Sequence, residues 1–181
     1  MNNISHLLKL ILIIVITNFG FHQVIAQQLV IVEHSIIIKS EKAYLFDFVS
    51  DVLNDHKWRE QVDSMVIVDS EIYGKGATEY LRVNKKKQNI TTTYITEQTD
   101  SSITFTTPDT DEYYFQARRT VVEMDDGQCL FTTLFEFDNN ITKKVAPFKI
   151  PKLMTKLATK STLKKEMKAL KRLIEKAHNK T

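Results

Sequence analysis

Between Val62 and Asp138 apolar residues tend to recur at alternate positions, and turn-forming clusters interrupt them at short intervals. Successive side chains of a strand point to opposite faces, so this pattern describes a β-sheet with one buried face. It predicts strands near 63–71, 77–84, 88–97, 101–107, 112–124 and 128–138. The separators are Tyr73-Gly74-Lys75-Gly76, Asn84-Lys85-Lys86-Lys87, Thr99-Asp100-Ser101, Pro108-Asp109-Thr110-Asp111 and Asp125-Asp126-Gly127. The last is the strongest hairpin signal, since glycine supplies the positive φ that a tight turn requires. Short connections between consecutive strands imply an antiparallel meander.

The two ends of the chain must supply the layer that covers this sheet. Residues 29–38 are rich in β-branched side chains and read as one more strand. Ser40 is placed to cap a short helix over Glu41 to Val49, with Leu45, Phe48, Val49 and Val52 at helical spacing. Asp51 is placed to cap a second short helix that runs to about Glu60 and carries Trp58. After Pro147 and Pro151 comes a long amphipathic helix, Pro151 fitting its first turn. Leu153, Leu157, Met167, Leu170, Ile174 and Ala177 are expected along one face of it. The fold class is therefore α+β: a curved antiparallel sheet wrapped around a long C-terminal helix, with two short helices after the first strand. A curved sheet around one helix leaves space between them, and such spaces serve as apolar ligand sites.

Residues 1–26 differ from the rest. Lys9 is their only charged side chain, the apolar run Leu10 to Ile16 follows, and Val24 and Ala26 suit a signal-peptidase site. The apolar core is short for a membrane-spanning helix. A signal peptide over 1–26 and a single domain over 27–181 are expected, hence a periplasmic or secreted protein, with an uncleaved N-terminal anchor as the alternative. The remaining chain has one cysteine, Cys129, so it forms no internal disulfide and depends on its core. Lys149 to Thr181 holds 11 Lys/Arg against Glu166 and Glu175, while residues 27–148 are net acidic. That basic helix is read as a solvated face or as a surface for transient docking on anionic lipid. Nucleic acid is not expected for an exported chain with an acidic body. Asn89-Ile90-Thr91 and Asn140-Ile141-Thr142 match glycosylation sequons, which matter only in a eukaryotic secretory route.

The order of elements resembles the START/polyketide-cyclase (SRPBCC, birch-pollen-allergen-like) superfamily, whose helix-grip fold has this layout. The local motifs resemble it too. Phe46-Asp47-Phe48-Val49-Ser50-Asp51 then His56-Lys57-Trp58 matches its helix ending in aspartate and its tryptophan turn. Gly74-Lys75-Gly76-Ala77-Thr78 matches a Gly-x-Gly-like turn before a strand, and Asp125-Asp126-Gly127 precedes the Thr-containing strand Cys129-Leu130-Phe131-Thr132-Thr133. The resemblance covers residues 30–178, with the leader and the very basic last helix as departures. It implies a cavity between sheet and helix that holds a hydrophobic small molecule, or a lipid. Some members are aromatase/cyclases, in which Arg and Tyr orient a polyketide; Arg119 or Tyr80 would take that part here.

Alternation along the strands and the helix nominates Trp58, Tyr80, Tyr94, Phe115, Arg119, Phe131, Phe135 and Leu157 as cavity walls or polar handles, against plain sheet-on-helix packing. Trp58 also reads as a plug anchoring the short helices. His56 and Glu60 share a helical spacing, but no third ligand accompanies them, so no metal is expected. No Gly-x-Ser-x-Gly elbow or phosphate-binding loop occurs, and mid-strand Cys129 reads as a small hydrophobe. No catalytic residue and no cofactor is assigned. Three readings stay open: a carrier of a hydrophobic molecule, a cyclase-type enzyme using the same cavity, and an interaction protein with a collapsed cavity. A wide apolar cavity favours the first, a polar pair at its base the second, and a filled core the third. The sequence leaves the oligomeric state open.

Overall fold

In a computed structural model the described residues are 29–83, 86–146 and 148–178. The expected leader, residues 1–26, lies outside them, as does Pro147. Among the described residues, β1 (Leu29–Lys39), β2 (Val62–Ser70), β3 (Gly74–Val83), β4 (Lys86–Gln98), β5 (Ser102–Thr106), β6 (Phe115–Met124) and β7 (Gln128–Asp138) form one antiparallel sheet. Its order is β1-β7-β6-β5-β4-β3-β2. The expected meander thus runs from β2 to β7, and β1 joins beside β7 in continuous register from Leu29↔Asp138 to Lys39↔Gln128. Helix α1 (Lys42–Ser50) and a 3-10 helix (Val52–Lys57) carry the chain from one sheet edge to the other. Another 3-10 helix (Asn139–Lys144) leads from β7 toward the long helix α2 (Lys152–His178). This is the expected α+β helix-grip arrangement. No described helix is long and apolar enough to cross a membrane.

Local chemistry explains most of the boundaries. At the β6–β7 hairpin Asp126 and Gly127 both take positive φ, 62° and 66°, in the left-handed region a tight turn uses. β6 starts at Phe115 rather than at residue 112, because a turn closed by Asp111 N–H to the Pro108 carbonyl (2.9 Å) precedes it. Asp51 caps the 3-10 helix as expected, accepting from Leu53 N–H at 3.0 Å. Ser40 does not cap α1. The N-cap residue is Glu41, without a side-chain bond, while Ser40 is held to the hairpin through its N–H and the Gly127 carbonyl (3.2 Å).

The core lies between the concave sheet face and the helices. β7 alternates strictly, with Cys129, Phe131, Thr133, Phe135 and Phe137 buried. Leu163, Met167, Leu170 and Ile174 of α2 are buried with Val30, Val32 and Ile38 of β1, and α1 adds Leu45 and Val49. Leu153 and Leu157 fall off this stripe and are 68% and 60% exposed. At 3.6 residues per turn, the ten residues from Leu157 to Met167 end about 80° short of whole turns, so the two groups face different directions.

Candidate functional site

A cavity of about 360 Å³ lies between the sheet and the first half of α2. Its apolar wall is built from Leu81 of β3, Phe115 of β6, and Phe135 and Phe137 of β7, with Ile141 and Leu163 completing it. The ring centroids of Phe115 lie 5.8 Å from those of Phe135 and 6.2 Å from those of Phe137, so the three form one aromatic cluster. From α2 the cavity takes Thr155, Ala158, Thr159 and Thr162 as well, one turn after another. The last helical residue on its wall is Glu166, beside Arg59, Glu79 and Thr91.

These polar residues belong to a buried charge network. Arg119 donates to both oxygens of Asp55, at 2.8 and 2.5 Å, and to the Val49 carbonyl at 2.6 Å. The Val49 bond satisfies a carbonyl in the last turn of α1, which has no partner within the helix. Arg59 donates to Asp55 at 3.0 Å and to Glu79 at 2.5 and 3.3 Å. Its Nε lies 3.6 Å from a Glu166 oxygen, an ion contact longer than a hydrogen bond. Burial by itself would lower the Arg59 pKa, yet the carboxylates of Glu79, Glu166 and Asp55 hold it well above the usual guanidinium value. Burial pushes the Glu166 carboxyl above its ordinary value, against the pull of Arg59. Arg59 Nε and Thr91 Oγ1 are buried without a hydrogen-bond partner among the described residues.

Of the residues nominated from sequence, the structure brings Phe115 and Phe135 together on the cavity wall. The other six lie elsewhere. Arg119 has the expected inward face but is consumed by Asp55, with its guanidinium 5.4 Å from the Trp58 ring and 5.7 Å from that of Phe105. Trp58 packs edge-on against Phe131 at 6.3 Å, both within the core, so it anchors the 3-10 helix to the sheet. Tyr80 alternates with the cavity residues Glu79 and Leu81 and so belongs to the other face of β3. Tyr94 likewise alternates with buried Thr93, and its ring meets Tyr73 at 5.2 Å. Leu157 faces solvent.

Sequence reasoning missed Arg59, Glu79, Glu166 and Thr91. One signal was present: Glu166 sits three residues after Leu163 and four before Leu170, a lone acid in phase with the buried stripe of a basic helix. Cys129 is buried, with Sγ 3.3 Å from the Ser40 carbonyl, and burial raises its thiol pKa. A thiol held in its protonated form is a poor nucleophile. Among the described residues no three His, Cys, Asp or Glu side chains converge to hold a metal ion.

Comparison with known proteins accords with this geometry. The family model described as "Polyketide cyclase / dehydrase and lipid transport" matches residues 30–175. No curated protein matches the chain. Among solved structures, a START superfamily protein from Mycobacterium smegmatis is similar over 82% of this chain and 99% of its own, with TM-score 0.64 and 14% identity. The Zhui aromatase/cyclase from Streptomcyes sp. R1128 is similar over 81% of this chain and 91% of its own, with TM-score 0.57 and 10% identity. The di-domain aromatase/cyclase StfQ of the steffimycin pathway is similar over 87% of this chain, which corresponds to 54% of StfQ, with TM-score 0.66 and 6% identity. At these identities the structures speak for the fold, which is that of a START superfamily protein and of aromatase/cyclases, while the family match spans most of the sequence: the chain belongs to the polyketide cyclase/dehydrase and lipid transport family.

Proposed function

We propose that this chain is an exported binding protein that holds or carries a hydrophobic small molecule, which includes lipids, between its sheet and α2. The observation that carries the reading is the cavity of about 360 Å³ with its cluster of Phe115, Phe135 and Phe137. Pockets of this volume with apolar walls and a few polar groups are typical of small-molecule sites. The cavity also speaks against a collapsed, purely interacting domain. The test is native mass spectrometry of the protein purified from its own host, with organic extraction of what is bound. A near-stoichiometric apolar compound is expected. A clean apo mass, with no thermal shift across a panel of lipids and aromatic compounds, would overturn the reading. The same spectra test export, because cleavage after Ala26 leaves a chain that begins at Gln27.

A cyclase-type enzyme using the same cavity is the second reading, and Glu166 favours it. A buried carboxyl with a raised pKa in a cavity wall is a candidate general acid. Recovery of the extracted compound unchanged after incubation with the protein supports carriage; its conversion to a cyclised or dehydrated product supports the enzyme.

Transient contact with an anionic membrane belongs to the carrier reading. Phe148, Leu153, Met154 and Leu157 are exposed by 60% or more, among exposed Lys149, Lys152, Lys156 and Lys160. Apolar side chains ringed by lysines suit a negatively charged lipid surface. Co-sedimentation with phosphatidylglycerol vesicles, weakened by Leu153→Glu and absent with phosphatidylcholine, is the expected result. Equal behaviour with both vesicles would remove the membrane from the proposal.

A further inference from the structure

The polar corner of the cavity has an uneven hydrogen-bond inventory. Arg59 Nε–H is buried and unpartnered, and the nearest Glu166 oxygen is 3.6 Å away. Thr91 Oγ1, also unpartnered, sits on β4 directly across from Glu79, the residue that grips the other end of the Arg59 guanidinium. All three residues line the cavity, and Thr91 and Glu166 are more than nine-tenths buried. The corner therefore offers one strong donor, one carboxylate acceptor and one hydroxyl that can do either.

We propose that Arg59, Glu166 and Thr91 form a subsite for a hydroxyl group on an otherwise apolar ligand. A hydroxyl has one O–H to donate and two lone pairs to offer, so one oxygen can donate to Glu166 while accepting from Arg59 Nε–H. A carbonyl or ether only accepts and leaves Glu166 unanswered. An ammonium only donates and meets the guanidinium with like charge. A carboxylate or phosphate enters a corner where Asp55, Glu79 and Glu166 already outnumber Arg59 and Arg119. When Glu166 is protonated, its O–H and Arg59 Nε–H take the two lone pairs of the ligand oxygen and the ligand's own O–H turns to Thr91 Oγ1, which a carbonyl or ether cannot answer. The class of ligand is an alcohol or phenol with a hydrophobic body, seated against Phe115, Phe135 and Phe137.

This assignment rests on the cavity's being a ligand site, and the test separates the two ideas. Calorimetric titration of the full chain uses four probes on one ring system: 2-naphthol, 2-methylnaphthalene, 2-(aminomethyl)naphthalene and 2-naphthoate. The expected result is that 2-naphthol binds about 10-fold or more tighter than the methyl compound, with the charged probes weaker than 2-naphthol. Glu166→Leu and Thr91→Val, which remove the polar groups, should each shrink that ratio at least about threefold. Equal binding of 2-naphthol and 2-methylnaphthalene, or tightest binding of either charged probe, would sink the hydroxyl subsite while the apolar cavity stands. Binding of none of the four would sink both. The four-probe comparison on the unmutated chain decides the matter even if one variant does not fold.

Discussion

Asp55 is 1% exposed and holds two guanidinium groups at once, Arg119 through both oxygens and Arg59 through one. Burying a charge is tolerated only with such pairing, and removal of one partner strands the other. Arg119→Leu is expected to lower stability by about 3 kcal/mol, the lower end of what breaking a buried pair costs because Arg59 remains. Urea denaturation measures it, and a loss below 1 kcal/mol, the range of a surface pair, would contradict the assignment. Glu166 makes a second prediction. Its folded pKa lies above the ordinary 4.5, so the folded chain keeps this proton over a range where the unfolded chain releases it. The stability it contributes is complete below pH 4.5 and is lost as pH rises through the folded value. Glu166→Gln cannot titrate, so its melting temperature should gain on that of the unmutated chain between pH 4.5 and pH 8; a constant difference would refute this. The surrounding Arg59, Asp55, Glu79 and Arg119 are common to both proteins and cancel. The sequence indicated that Arg119 points inward but not that Asp55, 64 residues away, would claim it.

At the level of elements, β4 leaves no room for a side chain at Gly76 of β3. A Cβ built there would collide with the Thr93 carbonyl oxygen and the Tyr94 ring. Gly76→Ala should lower stability by about 1–3 kcal/mol, as overpacking does, read from the urea midpoint. Gly74→Ala is the contrast: it meets no neighbouring atom but must adopt a φ of 73°. The strands were legible because alternation and turn residues are local signals. The cavity was less so, because β4 reads Thr91-Thr92-Thr93-Tyr94 and both faces carry β-branched or aromatic side chains. Nothing there says which face is inward, and the pleat converts one residue of error into the opposite face, as at Tyr80 and Tyr94. β7 was clear because Phe131, Phe135 and Phe137 fall at alternate positions and the polar Gln128, Thr132, Glu136 and Asp138 all fall on the other face. On α2 the failure was of phase, since the 80° drift between Leu157 and Met167 takes ten residues to accumulate.

For the molecule as a whole, a ligand that fills the cavity binds only the folded chain. At 100 times Kd it should stabilise by about 2.7 kcal/mol, and extracting it should lower the melting temperature by roughly 5–10 °C. Differential scanning calorimetry before and after extraction measures this, and no change would mean that the co-purifying compound sits outside the fold. The order of the sheet has a further consequence, in time. β1 is an edge strand whose lateral neighbour is β7, and Ser35 meets Thr132 across 97 residues of chain. A ribosome adding 5–20 residues per second therefore leaves β1 without its neighbour for roughly 5–20 s. Throughout that interval the apolar side chains of Val30, Val32 and Ile38 have no core to enter, and they are available to chaperones or to a translocation apparatus before they are available to the fold. Every β1–β7 contact carries a long loop-closure penalty, so refolding from denaturant should be slow for the chain's size.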